Sequence, residues 1–382
     1  MFPSPFALFM RWNGRGIKAK RGCNFALPLQ RSRAILPAIP GKPENRRHQW
    51  GGADMRAIGG AYAFGIALVC AGSAFAQTSQ AQTAPDCTIR IVVSGPAGGT
   101  PDLIARLGAD KLRAGLNRTV VVENRAGGRA AVSSIQAVRA APPDGCMLLA
   151  ANASIFSIGP HLYKDAPYDP VGDFTPIAVL ATSPNVLLVN ASVPARDLKS
   201  FIELLKGDGA KYNFGSGGLG TPMHIYGALL STRFNVTITH VPYRGSAAVV
   251  TDLVSGQVQF AFEQIPAFIS HVKSGSLRAL AVAGPARSPL LPDVPTFAEL
   301  GIEGADAVSW FGTVAPRGTP PAIIDRYAQI LRDGMRDPQV MEKLSSVGAE
   351  PSGMTPAQMI PYMQDQKSKW APLVAAAGVT VE

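Results

Sequence analysis

From residue 89 onward, short apolar runs alternate with helical periodicities, and this alternation restricts the fold more than any other feature. Residues 89–93, 119–123 and 147–151 are short runs rich in Ile, Val and Leu. Between them, residues 101–114 place Leu103, Ile104, Leu107 and Leu112 on one helical side, and residues 130–140 form a second helical pattern. Parallel strands need long crossovers, which helices supply, so an α/β sheet is expected. After a Pro-containing stretch at 160–184 the pattern restarts. Strands are predicted at 186–190, 212–216, 238–243, 258–262 and 277–282, with helices at 197–206, 221–231, 246–255 and 266–273. Asp197 and Ser246 are suited to N-caps and Gly256 to a helix terminator. Residues 284–307 are Pro-rich and irregular, and residues 309–314 read as one more strand. Pro320-Pro321, Pro338 and Thr355-Pro356 then open three tail helices. The expected architecture is two α/β lobes with a helical C-terminal tail.

The front end follows other rules. The chain carries 36 Lys and Arg against 26 Asp and Glu, but ten of the basic residues and only two of the acids lie in residues 1–54. From Gln77 onward 25 basic residues face 24 acidic ones, so a basic, nucleic-acid-binding body is excluded. Met55-Arg56, an apolar run over 57–71 and Ala74-Phe75-Ala76 have the order of a secretory signal, with cleavage expected after Ala76. Residues 1–54 lack periodicity and read as an upstream extension that is not native to the protein. Export favours disulfides. Cys87 and Cys146 each precede a predicted strand; if those strands are parallel neighbours the two sulfurs share a sheet edge and can bridge, and otherwise they are two separate thiols.

Three segments join a strand to a helix start through small residues: Val93-Ser94-Gly95-Pro96-Ala97-Gly98-Gly99-Thr100-Pro101-Asp102, Asn213-Phe214-Gly215-Ser216-Gly217-Gly218-Leu219-Gly220-Thr221, and Val241-Pro242-Tyr243-Arg244-Gly245-Ser246. Glycine admits a close ligand, and a helix N-terminus offers unpaired N–H groups at the positive end of its dipole. Such loops suit a carboxylate or phosphate at the carboxyl ends of the strands, although each alone also reads as an ordinary tight turn. A dinucleotide site would use Glu123 for a ribose, yet Gly95, Gly98 and Gly99 do not fit G-x-G-x-x-G. No phosphate-binding P-loop, zinc-protease or C-x-x-C motif occurs, and Ser216 lacks the G-x-S-x-G frame because Phe214 takes the first glycine position. No catalytic residue, metal or cofactor is expected.

Several further motifs carry a family resemblance over residues 87–382. They include Glu123-Asn124-Arg125-Ala126-Gly127-Gly128, Pro142-Pro143-Asp144-Gly145, Pro160-His161-Leu162-Tyr163 and Pro167-Tyr168-Asp169-Pro170 with Asp173-Phe174. His240-Val241-Pro242-Tyr243-Arg244-Gly245, Leu291-Pro292-Asp293-Val294-Pro295-Thr296 and Trp310-Phe311-Gly312 complete the series. In this order they resemble the Bug/TctC family, the extracytoplasmic solute receptors of tripartite tricarboxylate transporters.

The resemblance implies a type II periplasmic-binding-protein fold with a ligand cleft between two lobes. Residues 77–187 would start lobe 1, 188–305 form lobe 2, and 306–382 return to lobe 1, with hinges near 185–190 and 302–310. It implies a monomeric, non-enzymatic periplasmic receptor that captures a small organic acid, a carboxylate or an amino acid, for membrane transporter subunits. Alternatives are a ligand sensor for a membrane partner and an exported α/β enzyme acting on a carboxylic acid. The implied ligand-binding residues are Ala97, Gly98, Gly99 and Asp102 from the first loop, with Asn152 and Ser154 after the third strand. From the facing lobe come Ser216, Gly217, Thr221, Tyr243, Arg244, Gly245 and Glu263. Asp102 is expected to accept backbone N–H bonds at its helix terminus, or to meet a ligand amino group. Arg244 is expected to grip a carboxylate or else pair at the surface. Three positions depart from the family pattern: Ser94-Gly95 replace a Pro-aromatic pair, Arg129 replaces a small residue, and Glu263-Gln264 replace the usual Asp-Asn.

Overall fold

The computed structural model describes residues 86–125, 130–163, 168–346 and 348–379. The extension assigned to 1–54, the signal segment 55–76 with its cleavage after Ala76, Arg129, and the motif residues 126–128 and Pro167 lie outside the described residues.

The first lobe begins with β1 (Ile89–Val93), α1 (Thr100–Leu116), β2 (Val120–Asn124), α2 (Ala130–Arg139) and β3 (Met147–Asn152). A π-helical turn at Ser154–Ile158, the short α3 (Gly159–Leu162) and β4 (Phe174–Ser183) follow. The chain then builds β5 (Asn185–Asn190), α4 (Leu198–Asp208), β6 (Asn213–Ser216), α5 (Pro222–Phe234), β7 (Thr239–Pro242), α6 (Ser246–Ser255), β8 (Phe260–Gln264), α7 (Ile265–Lys273) and β9 (Leu277–Ala283). The last part is β10 (Ser309–Pro316), α8 (Pro321–Met335), α9 (Pro338–Ser346), β11 (Glu350–Pro351) and α10 (Pro356–Ala377).

Two sheets result, ordered β11-β4-β10-β3-β1-β2 and β7-β6-β8-β5-β9. Apart from the edge strand β11, both follow one plan. Three parallel strands stand second-first-third, and an antiparallel strand arriving from the other half separates them from the fourth. Strand β10 is the visitor in the first sheet and β5 in the second. This exchange makes a two-lobed α/β molecule. Strand β4, absent from the sequence expectations, is ten residues long and almost wholly buried. Its Pro176 and the prolines before it hid an otherwise continuous apolar run.

The chain crosses between sheets at Pro184 and again over 284–308. The expected hinge at 185–190 and the boundary after residue 187 are therefore corrected: Asn185–Asn190 is one strand, hydrogen-bonded to both β8 and β9. At the crossing the buried Ser309 Oγ donates to Asn185 Oδ1 at 3.2 Å, tying the two connections together. The tail does not belong wholly to lobe 1 either. Met359 and Met363 of α10 join the first lobe's core, but Trp370, Leu373 and Val374 pack with Phe214, Tyr226 and Phe262 in the second. Trp370 meets Tyr226 edge-on at 5.3 Å.

Local signals explain the helix boundaries. Asp197 caps α4 in a capping box with Ser200, Thr355 does the same for α10 with Gln358, and Gly256 ends α6 in the left-handed region. Ser246 is not the N-cap of α6. Gly245 occupies that position with φ 111°, and Ser246 is the first helical residue. Cys87 and Cys146 form a disulfide with Cα atoms 6.1 Å apart, because β1 and β3 are parallel neighbours.

Candidate functional site

Between the two sheets lies a cavity of about 540 Å3. Its lobe 1 wall comes from the 94–101 loop, Asn152–Ile155, Tyr163 and the start of β10 at Ser309–Phe311. The lobe 2 wall comes from Gly217–Leu219, Thr221–Met223, Pro242–Ser246 and Gln264. The N-termini of α1, α5, α6 and α7 all open towards it, because each follows a strand whose carboxyl end faces the same space.

Of the residues expected at the site, Gly99, Asn152, Ser154, Gly217, Thr221, Tyr243, Arg244 and Gly245 line the cavity. Gly99 is the N-cap of α1 and provides no side-chain cap, which leaves the first-turn N–H groups facing the cleft. A Cβ there would meet neighbours only at 3.6 Å or more, so bulk beyond alanine is needed to obstruct the site. The Thr221 hydroxyl caps α5 through His224 N–H and donates to the Gly218 carbonyl. The Tyr243 hydroxyl donates to Asp252 Oδ2 at 2.7 Å and is pushed up to about 12 by burial and this carboxylate, so its ring rather than its hydroxyl serves the wall. Arg244 is exposed to the cleft, and no ion pair or hydrogen bond engages it among the described residues.

Five expected residues are not in the lining. Ala97 and Gly98 are exposed on the outer side of the loop, and Gly98 N–H donates to Asp102 Oδ2 at 2.9 Å rather than to a ligand. Asp102 is 3% exposed and also accepts from Arg106 Nε at 2.9 Å. Burial alone would raise its pKa. Bonds from Arg106 and Gly98 N–H, helped by Asn124, outweigh burial and hold the carboxyl below its ordinary range. Asp102 is therefore the helix-terminal partner of the loop. Asn124 Nδ2 adds a bond to Gly95 O at 3.2 Å, so the Glu123-Asn124-Arg125 motif braces this loop. Glu123 itself is held low by Arg90 and Arg125, which removes it as a ribose ligand.

Ser216 is fully buried under the second loop. Its hydroxyl bonds His240 Nε2 at 2.7 Å, donates to Gly218 O and accepts from Gly218 N–H. His240 stacks on Phe214 and on His224, whose Nδ1 accepts from Gly220 N–H. Burial pushes both imidazoles down to about 4, so at neutral pH this stack is an uncharged support for the loop.

Glu263 corrects the sequence reading most clearly. Strand β8 runs on to Gln264, and side chains alternate along it. Phe260 and Phe262 face the core beneath α5, while Ala261 faces the core beneath α6 and α7 with Val186 and Leu188. Glu263 shares the Ala261 parity and is completely enclosed, with neither oxygen in a hydrogen bond of ordinary geometry. Burial pushes its carboxyl up to about 7, moderated by the nearby Ser246 hydroxyl and Gln264 N–H. Gln264 instead lines the cavity, a residue sequence reasoning missed. Counting the alternation one residue further along the strand would have found it.

The lobes also touch across the cleft. A Cβ on Gly245 would lie 2.8 Å from Pro96 Cγ, and one on Gly220 would lie 2.7 Å from Leu162. Two lobes, each built on the same strand plan, thus face helix N-termini across one cleft. The family model for tripartite tricarboxylate transporter family receptors matches residues 104–379. The chain belongs to this TctC family. A UPF0065 protein of Pseudomonas sp. strain P51 is 34% identical over 80% of this chain and 93% of its own length. Among solved structures, R. palustris Rpa4515 with adipate has a TM-score of 0.72 and 32% identity, covering 78% of this chain and 99% of that one. MatC from Rhodopseudomonas palustris with bound malate has a TM-score of 0.71 and 29% identity, covering 76% and 99%. TctC-family members are solute receptors. No helix among the described residues is long and apolar enough to cross a membrane.

Proposed function

We propose that this protein is a periplasmic solute receptor, exported through a signal cleaved after Ala76, that captures a small organic acid and delivers it to the membrane subunits of a tripartite transporter. It acts as a monomer, without catalysis, by closing two lobes hinged at Pro184 and the 284–308 connection. One observation carries this reading. The unpaired Arg244 guanidinium and the α6 N-terminus face the uncapped α1 N-terminus across a single cavity, so anion-binding groups stand on both walls. The adipate and malate held by Rpa4515 and MatC support a carboxylate as the ligand.

Closure brings the two walls onto one ligand, so the affinity should depend on both. Arg244→Ala removes a charged hydrogen-bond donor and should weaken carboxylate binding by about tenfold or more. Gly99→Val should obstruct the α1 terminus and weaken it as well. Isothermal titration of purified protein with a panel of mono-, di- and tricarboxylates measures both. Unchanged affinity in both variants, with the fold intact by circular dichroism, would remove the cavity from consideration as the ligand site.

A further inference from the structure

The buried polar atoms at the floor of the cleft single out Asn185. It opens β5 directly after the Pro184 crossing and is fully buried. Its Oδ1 accepts from Oγ of Ser309, which opens β10 after the return crossing and lines the cavity. That bond occupies the acceptor end of the amide. The donor end, Nδ2, is enclosed by protein and has no hydrogen-bond partner among the described residues. An enclosed amide donor without an acceptor is costly, so an acceptor within reach is its expected complement.

Strand register supplies one. Asn185 stands directly opposite Gln264 in the antiparallel pair of β5 and β8. Opposite residues in such a pair project to the same face, with Cβ atoms roughly 5 Å apart. The parity agrees: Leu187 and Phe262, the next residues inward on that face, share the core beneath α5, while Val186, opposite Glu263, joins the core on the other face. On its other side β9 places Ala283 opposite Asn185, and alanine offers no side-chain acceptor. Gln264 borders the cavity as the N-cap of α7, yet its side chain makes no capping bond, and no other hydrogen bond engages its carboxamide among the described residues. Its Oε1 is therefore free to accept, and rotation about the side-chain bonds closes a gap of this size.

We infer that Asn185 is a positioning residue of the ligand site: in the ligand-bound protein its Nδ2 donates to Gln264 Oε1, which turns Gln264 Nε2 into the cavity towards a ligand oxygen. The inference rests on the receptor reading above. The resulting chain runs from Ser309 Oγ through the Asn185 amide and the Gln264 amide to the ligand. It ties a group on the lobe 2 wall to both connections between the lobes, so the residue that orients Gln264 also sits where closure bends the chain.

The test begins with calorimetric titration of the purified protein, freed of co-purified ligand, with succinate, adipate and citrate. The acid that binds most tightly is carried through a double-mutant cycle. Gln264→Ala should weaken its binding about tenfold, and Asn185→Ala about threefold to tenfold. Where Gln264 is already alanine, Asn185→Ala should change the affinity by less than about twofold. A residue that served the hinge alone would cost the same in both backgrounds. Thermal unfolding establishes that each variant is folded. A crystal structure of the unsubstituted protein with the same acid tests the contact without any variant: Asn185 Nδ2 should lie within about 3.2 Å of Gln264 Oε1. Equal losses from Asn185→Ala in the two backgrounds, or Nδ2 bonded to a water with the Gln264 carboxamide turned away, would overturn the inference and leave the receptor reading standing. Binding of none of the three acids would count against the receptor reading itself, and the inference would fall with it.

Discussion

Glu263→Gln is the substitution whose outcome is best determined by the structure. The carboxyl is fully enclosed between β8 and the α6–α7 layer, without a charge partner, and its pKa is pushed up from the ordinary 4.5 to about 7. As pH rises through 4.5 the unfolded chain loses this proton while the native state keeps it. The native state then binds more protons, so stability falls with increasing pH, and the fall stops above about 7 where both states are ionised. At 1.36 kcal/mol for each pH unit, the span from 4.5 to about 7 amounts to about 3 kcal/mol. Glutamine nearly preserves the shape and does not titrate. The variant should match the parent near pH 4, be more stable by about 1–2 kcal/mol near pH 5.5, and gain about 3 kcal/mol at pH 8. Urea midpoints followed by circular dichroism at these three values measure the difference. A variant equally destabilised at all three pH values would refute the account, since it would mean that Glu263 serves through hydrogen bonding rather than as a buried acid.

The stacked His224 and His240 should act in the opposite direction. Both are pushed down from 6.5 to about 4, so the unfolded chain takes up protons first and stability is lost as pH falls from about 6.5 towards 4. Following the urea midpoint between about pH 6.5 and 5 in the Glu263→Gln background, above the range where low-held carboxyls such as Asp102 and Glu123 contribute, reads this slope, and a flat profile there would count against neutral imidazoles. Paired Cys87→Ser and Cys146→Ser opens a loop of 59 residues' separation and should cost about 4 kcal/mol in the unfolded-chain entropy picture, read from the same midpoints under non-reducing conditions. Gly245→Ala should cost about 1–3 kcal/mol from its φ of 111° and also weaken ligand binding, because the new Cβ would lie 2.8 Å from Pro96 Cγ across the cleft. Gly95→Ala, with nothing within 4 Å of the added carbon, should cost under about 0.5 kcal/mol and serves as the control in the same melting experiment.

Much of this fold was legible because its signals are local. The apolar runs, the prolines at helix starts, the Asp197 cap and the Gly256 stop each act within a few residues, and the structure places those elements close to where the sequence puts them. What was missed depends on distant partners. Strand β4 looks like a Pro-rich connection until β10 and β11 pair with it, and the end of α10 has no sequence mark showing that Trp370 belongs beneath Tyr226. The site divides in the same way. The helix N-termini were visible as small-residue loops before helix starts. Which residues reach the cavity was not visible, because that depends on strand parity and on side chains held elsewhere, as Asp102 is through its Oδ2 by Arg106 and Tyr243 by Asp252.

The exchange between Glu263 and Gln264 shows why this matters for function. One residue of register separates a carboxylate fully enclosed beneath α6 from an amide that lines the cavity. The two neighbouring residues therefore govern different properties. The residue at 263 sets how stability responds to pH, and the residue at 264 borders the ligand cavity. Measured separately, Glu263→Gln should shift the pH dependence of unfolding with carboxylate affinity intact, and Gln264→Ala, which adds no titrating group, should weaken carboxylate binding with that pH dependence intact.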